Sequence, residues 1–161
     1  MKTIPIILLL VGLLGCTTNN RTTNTDQNDT LAVYDSVLAK KLGADDYGMK
    51  KYVMAFLKRG PNRSPDSAVR AQLQQAHLQN IQRMADKGKL IVAGPFLDTL
   101  DVRGIYIFNV ESVEEAKALT ETDPAIKAGS LVMELRPWYG SAALIESVKT
   151  HKTIAKSGIG N

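Results

Sequence analysis

Three polar side chains interrupt an otherwise apolar helical stripe, and one of them is a histidine. Between residues 64 and 87, Val69, Leu73, Ala76, Ile81 and Met84 recur at helical spacing. His77 falls inside that stripe, Asn80 near its centre and Arg70 at its margin. Polar groups on a core-facing stripe need partners, because burying them unpaired is costly. His77 therefore has two readings. It is either a hydrogen-bonded histidine of the core or rim, or a proton-transfer group at the edge of a pocket. An imidazole suits the second role because it titrates near neutrality. The other histidine, His151, lies in a basic C-terminal segment and reads as a solvated surface residue.

Two further features bear on chemistry. Asp123 precedes Pro124, and Gly129 follows five residues later. An Asp cap, a Pro in the first turn and a closing Gly describe a short helix. Capping is compatible with function, since a carboxylate near a histidine Nδ1 fixes its tautomer and raises its basicity. Gly94-Pro95-Phe96 either ends a strand or lets a ligand approach the backbone closely. Arg70, Gly94, Pro95 and Phe96 are the candidate ligand contacts, and His77 and Asp123 the candidate catalytic pair. Two His, one Cys and no closely spaced ligand pair argue against a metal site. No Gly-x-Ser-x-Gly is present, so a serine-hydrolase elbow is unsupported. No cofactor is expected.

Regular elements must position these residues. Residues 52–58, YVMAFLK, have strand composition and enter a turn at Gly60-Pro61-Asn62. A helix follows from Ser64-Pro65-Asp66 to about Lys87, with Gly88 placed for a left-handed cap. Residues 89–93 form a second strand that Gly94-Pro95 halts, and residues 104–110 a third. Ser112-Val113-Glu114-Glu115 is a capping box for a helix to about Thr120. Residues 129–136 form the fourth strand. The order β-α-β-β-α-β is that of an α+β, ferredoxin-like fold.

The two central strands of that topology are apolar on both faces. Val53, Ala55 and Leu57 alternate with Tyr52, Met54 and Phe56, and Ile105 and Ile107 with Tyr106, Phe108 and Val110. Two helices cover only one face of the sheet, and large exposed apolar patches are rare on monomers. A homodimer packed sheet to sheet is the expected cover. The alternative is an amphipathic helix built on Ala142, Leu144, Ile145 and Val148.

The N-terminus speaks of export. Lys2 precedes an apolar run over residues 4–14, apart from Pro5 and Gly12, that ends in Leu13-Leu14-Gly15-Cys16. The run is too short to span a bilayer and resembles a secretory signal closed by a bacterial lipobox. Cleavage before Cys16 and acylation of its sulfur would tether the protein to a membrane of the cell envelope. Cys16 is the chain's one cysteine, so no disulfide or thiol nucleophile is then expected. Loss of Lys2 lowers the formal charge from +4 to +3. The basic residues are scattered and aromatics make up 6%, which gives no sign of a nucleic-acid partner. Residues 17–30 are almost wholly polar and read as a flexible tether. A short helix is expected over residues 31–42. The expected divisions are a signal at 1–15, a tether with a short helix at 16–49, the α+β domain at 50–140 and a C-terminal extension at 141–161.

Together these pieces resemble the YCII-related family. The resemblance rests on His77 within AHLQNIQRMADKGKL, AGPF at 93–96, RGIYIF at 103–108, SVEEAKAL at 112–119, TDPAIKAG at 122–129 and ELRPW at 134–138. The tail WYGSAAL at 138–144 is similar to the secreted and lipoprotein branch. The resemblance implies a dimeric α/β barrel, and a cleft in which a His–Asp pair maps to His77 and Asp123 and is lined by Gly94 and Pro95. Some relatives are similar to dehydrochlorinases and muconolactone-isomerase-like enzymes, which move protons on small ring substrates. The signal, tether and C-terminal extension depart from the short cytosolic members.

Overall fold

Four antiparallel strands form one sheet, and the candidate site residues among the described ones lie on these strands, on the helices packed against them or at the ends of both. The computed structural model describes residues 33–158. The signal, Cys16, most of the tether and the first residues of the expected first helix lie outside the described residues. From Asp35 onward the described chain makes one compact unit. Its elements are α1 (Ser36–Leu42), β1 (Met49–Arg59), α2 (Ser67–Asp86), β2 (Leu90–Pro95), β3 (Val102–Phe108), α3 (Val113–Thr120), α4 (Pro124–Lys127), β4 (Leu131–Ser141) and α5 (Leu144–Ile154). This is an α+β fold with β1 and β3 at the centre, and its β-α-β-β-α-β core is the ferredoxin-like order.

Local chemistry sets the ends of these elements. The helix α1 begins at Ser36 rather than 31, because the Asp35 carboxylate accepts from the N–H groups of Val37 and Leu38 at 3.0 and 2.9 Å. Gly43, at φ 68°, closes it in the left-handed region. Asp66 caps α2 through the Ala68 N–H at 2.8 Å. Ser112 caps α3 through the Glu115 N–H at 3.1 Å, while the Glu115 carboxylate meets Lys89 Nζ at 2.7 Å.

The strands differ from the expectation at their ends. β1 starts at Met49, since Asp45 folds residues 45–49 into a turn by accepting from Tyr47 and Met49. β2 runs through Gly94 to Pro95 instead of stopping before them, and β4 runs through Pro137 to Ser141 instead of ending at Arg136. Both are edge strands, where a proline's missing N–H breaks no ladder bond if it faces outward. The capacity of Gly-Pro to halt a strand is real only where both edges are paired. β3 is shifted toward the N-terminus, spanning Val102–Phe108.

The two apolar faces are covered differently. Val53, Ala55 and Leu57 share a core with Tyr106 and Phe108, beneath Met84 of α2 and Ala116 of α3. On the reverse face Tyr52, Ile91 and Ile107 pack with Trp138 and with Leu144, Ile145 and Val148 of α5. The C-terminal helix thus covers part of the face for which a second copy was the expected cover. The opposite end of that face, around Phe56, carries the Lys58–Glu134 ion pair at 2.7 Å and the Arg136 guanidinium 5.5 Å above the Phe56 ring.

Candidate functional site

The site begins with the period of α2. His77, Asn80 and Met84 are its buried residues, one and two turns apart on a single face. Met84 joins the apolar core, whereas His77 and Asn80 point their polar atoms at the start of α4. There Asp123 is fully buried and caps the four-residue helix, its Oδ1 accepting from the Ala125 N–H at 2.8 Å. Its other oxygen, Oδ2, lies 2.7 Å from His77 Nδ1 and accepts from Asn80 Nδ2 at 3.4 Å. Capping and pairing with histidine are therefore two jobs of one carboxylate, each done by a different oxygen.

The far nitrogen of the ring is also held. Tyr106 projects from β3 onto the helix-covered face, and its hydroxyl is 3.2 Å from His77 Nε2. The two rings lie nearly parallel, 6.3 Å apart at their centroids. Burial, with the nearby Asp123 charge as the second cause, pushes the Tyr106 hydroxyl far above its ordinary pKa. It keeps its proton. Asp123 accepts from two N–H donors, the Ala125 backbone and Asn80 Nδ2, and meets His77 Nδ1 as its third contact. Together these assign the tautomer of a neutral His77: Nδ1–H donates to Asp123, and the Tyr106 O–H donates to Nε2.

Asn80 extends the chain outward. Its Oδ1 accepts from Thr122 Oγ1 at 3.1 Å and from Arg83 Nη2. Among the described residues every buried side-chain nitrogen and oxygen has a partner. Carboxylate, imidazole and phenol thus form one polar line through an apolar core. Such a line can hold a histidine in one tautomer and present Nε2 as the basic atom, once the Tyr106 hydroxyl turns aside or reverses its hydrogen bond. The ring is 7% exposed, so access to Nε2 is narrow.

A cleft of about 140 Å³ lies between α2, α4 and the start of β4, and none of His77, Asn80, Tyr106 and Asp123 lines it. Leu73 and Gln74, one turn before His77, and Ala125, two residues after Asp123, form part of its wall. Arg70 lines it too, but its Nη1 donates to the carbonyls of Ser64 and Pro65 at 2.9 and 2.7 Å. Arg70 is exposed rather than at the margin of a buried stripe, since α2 meets the core only from its second half onward. Gly94, Pro95 and Phe96 do not line this cleft. They follow Ala93, which pairs with Tyr106, so Gly94 and Pro95 sit opposite Ile105 and Gly104, one and two positions along the ladder from Tyr106. Phe96 lies beyond the strand and is 43% exposed. His151 is exposed. Among the described residues no group of three His, Cys, Asp or Glu side chains could hold a metal ion.

Tyr106 is a participant that the sequence places only on an apolar face of a central strand. A signal was there. It alternates onto the same face as Phe108, and a buried tyrosine hydroxyl needs a partner. His77 was the polar group on the helix facing it.

The chain is similar over 62 residues, at 29% identity, to the uncharacterized protein YjpA of Bacillus subtilis (strain 168), covering 38% of this chain and 71% of that one. Among solved structures it is similar to the 5-chloro-2-hydroxyhydroquinone dehydrochlorinase TftG of Burkholderia phenoliruptrix AC1100, in complex with 2,5-dihydroxybenzoquinone. That likeness has a TM-score of 0.41 and 26% identity, over 53% of this chain and 92% of the other. The YCII-related domain matches residues 52–139, more than half of the sequence, and the chain belongs to that family.

Proposed function

We propose that this protein is a cofactor-free lyase or isomerase that moves a proton on a small ring substrate bearing a hydroxyl or carbonyl group. His77 is the general base and acid, and Asp123 is its positioning residue. The observation that carries the reading is the 2.7 Å approach of Asp123 Oδ2 to His77 Nδ1, which leaves Nε2 as the basic atom. In the forward step Nε2 takes a proton from a carbon beside the carbonyl, and the electron pair left behind enters the ring system. Elimination then expels a leaving group with its electrons, while isomerisation returns the proton from Nε2 to another carbon. The Tyr106 hydroxyl donates to Nε2 at rest and accepts from it once it is protonated.

The test replaces His77 by Gln and by Ala and assays a panel of ring lactones and chlorinated phenols. Turnover by the parent protein that disappears in both variants supports the reading. Turnover that persists in both removes His77 from the chemistry.

A second reading has its own support. The 7% exposure of His77 and the engagement of both its nitrogens suit a binding protein in which the polar line shapes a core. It predicts ligand affinity without product over long incubation.

The location proposed is the cell envelope, through a lipid on Cys16, and the support is the Leu-Leu-Gly-Cys end of the apolar run. Intact mass and radiolabelled palmitate incorporation, compared with Cys16→Ser, check it. A chain that incorporates no label and keeps residues 1–15 ends the proposal.

A further inference from the structure

A cavity of about 480 Å³ lies along the outer edge of β2, away from His77 and Asp123. Ile81 of α2, Val92 of β2 and Val148 of α5 line its apolar part. Its cationic side chains gather at the end of α5. His151 and Lys152, in the last turn of α5, and Lys156 beyond the helix border it, and no Asp or Glu is among its lining residues. Helical spacing creates this gradient. Val148, His151, Lys152 and Ala155 fall on one face of α5, apolar toward the sheet and cationic toward the chain end. Ser147, which also borders the cavity, has its hydroxyl bonded to the carbonyls of Leu144 and Ile91, so it adds little polarity.

The cations have partial structural explanations. Lys152 Nζ is 3.4 Å from Asp86, but both side chains are more than half exposed, and such pairs are weak. Basic groups in a last turn also complement the helix dipole. Neither accounts for Lys156, which lies past the end of α5 and borders the same space. A concave, mainly apolar cavity of this volume with a few convergent polar groups is the usual form of a small-ligand site. A neutral oil would leave the cations without a role, and a cationic amphiphile would meet like charge.

We propose that this cavity binds a medium-chain alkyl carboxylate, with its chain against Ile81, Val92 and Val148 and its head group at Lys152 and Lys156. The site is separate from the His77 line and does not depend on any reaction there.

The test titrates decanoate, below its micellar range, into the purified protein by calorimetry, with decyltrimethylammonium as the control of opposite charge. Saturable binding of decanoate alone is expected, with amide shifts at Val92 and Val148 in NMR spectra. The exposed double substitution Lys152→Gln and Lys156→Gln removes two charge-assisted bonds and weakens binding roughly tenfold or more. Val148→Trp fills the cavity and abolishes binding. The double lysine variant keeps the test decisive if that one fails to fold. Absence of saturable decanoate binding overturns the proposal. So does equal binding of decyltrimethylammonium, or affinity that the lysine substitutions leave unchanged.

Discussion

The hydroxyl of Tyr106 stands 3.2 Å from His77 Nε2, on the opposite side of the imidazole from Asp123. The histidine is thus clamped between an acceptor and a donor, and the donor comes from a different layer of the fold. Burial holds the Tyr106 hydroxyl well above its ordinary pKa near 10, so the phenol stays neutral in the folded state after it has ionised in the unfolded one.

That shift has a direction in pH. Because the folded-state value lies above the unfolded one, the unfolded chain binds fewer protons above about pH 10. Stability from this group is fully present below that pH and is lost as pH rises, by about 1.4 kcal/mol per pH unit. Tyr52, also raised by burial, contributes with the same sign. Urea denaturation at pH 9, 10 and 11 should show a steep decline in the parent and a shallower one in Tyr106→Phe. The variant should also lose about 1–2 kcal/mol at neutral pH, because Nε2 is left without its donor. Equal slopes in the two proteins would mean that Tyr106 is not sequestered.

Asp123 should be sensitive to shape and charge separately. Replacing it by Ala strips acceptors from Ala125, Asn80 and His77 at once, and should cost roughly 3–5 kcal/mol. Asn retains an oxygen for the cap and the volume of the side chain, so Asp123→Asn should cost roughly 1 kcal/mol. Nitrogen-15 shifts of the imidazole read the tautomer directly. The parent at neutral pH should carry its proton on Nδ1, and Asp123→Asn should lose that preference. A parent protonated on Nε2 contradicts the hydrogen-bond directions given above.

The expected elements were legible where hydrophobic period and capping chemistry agreed. The α2 stripe with His77 inside it, the Ser112 cap and the Asp123-Pro124 helix all follow from side chains within one turn of each other. The strand ends were not legible, because whether Pro95 or Pro137 stops a strand depends on which strands lie at the edge, a property of the whole sheet. Arg70 falls at the margin of the apolar stripe by period alone. Its position before α2 reaches the sheet decided otherwise, and that is tertiary information. The Tyr106–His77 contact joins residues 29 apart in sequence, and only the docking of α2 on β3 creates it.

Gly94 and Gly104 face one another's region of the ladder yet should respond oppositely to alanine. A Cβ on Gly104 would meet the Gly94 carbonyl oxygen at 2.6 Å, and backbone must move to relieve it. Gly104→Ala should cost about 1–3 kcal/mol, as overpacking does. A Cβ on Gly94 meets nothing within 4 Å. Gly94→Ala should gain up to about 1 kcal/mol by restricting the unfolded chain. The stability curves check this, and they also prepare a sharper use. If a ligand passes close to Gly94, the alanine should weaken its binding while the fold gains. Loss of stability in Gly94→Ala would place a backbone constraint there that the geometry lacks.

The homodimer expected from the two-faced strands is constrained by α5. With Tyr52, Ile91 and Ile107 already covered by that helix, a second copy has only the other end of the face to occupy. Phe56 pairs across the sheet with Ile105 and Glu134, and Val132 on the same face is 42% exposed. This end is amphipathic, since Lys58, Glu134 and Arg136 surround the apolar side chains. Burying it therefore requires the ion pairs to stay intact or to exchange across the two-fold axis, and complementary charge sets register more than strength. Sedimentation equilibrium should find a dimer that dissociates when Phe56 is replaced by Glu, because the new carboxylate adds to Glu134 in a desolvated contact. High salt should weaken the parent dimer as well. A parent that sediments as a monomer at all concentrations would mean that α5 alone provides the cover this face needs.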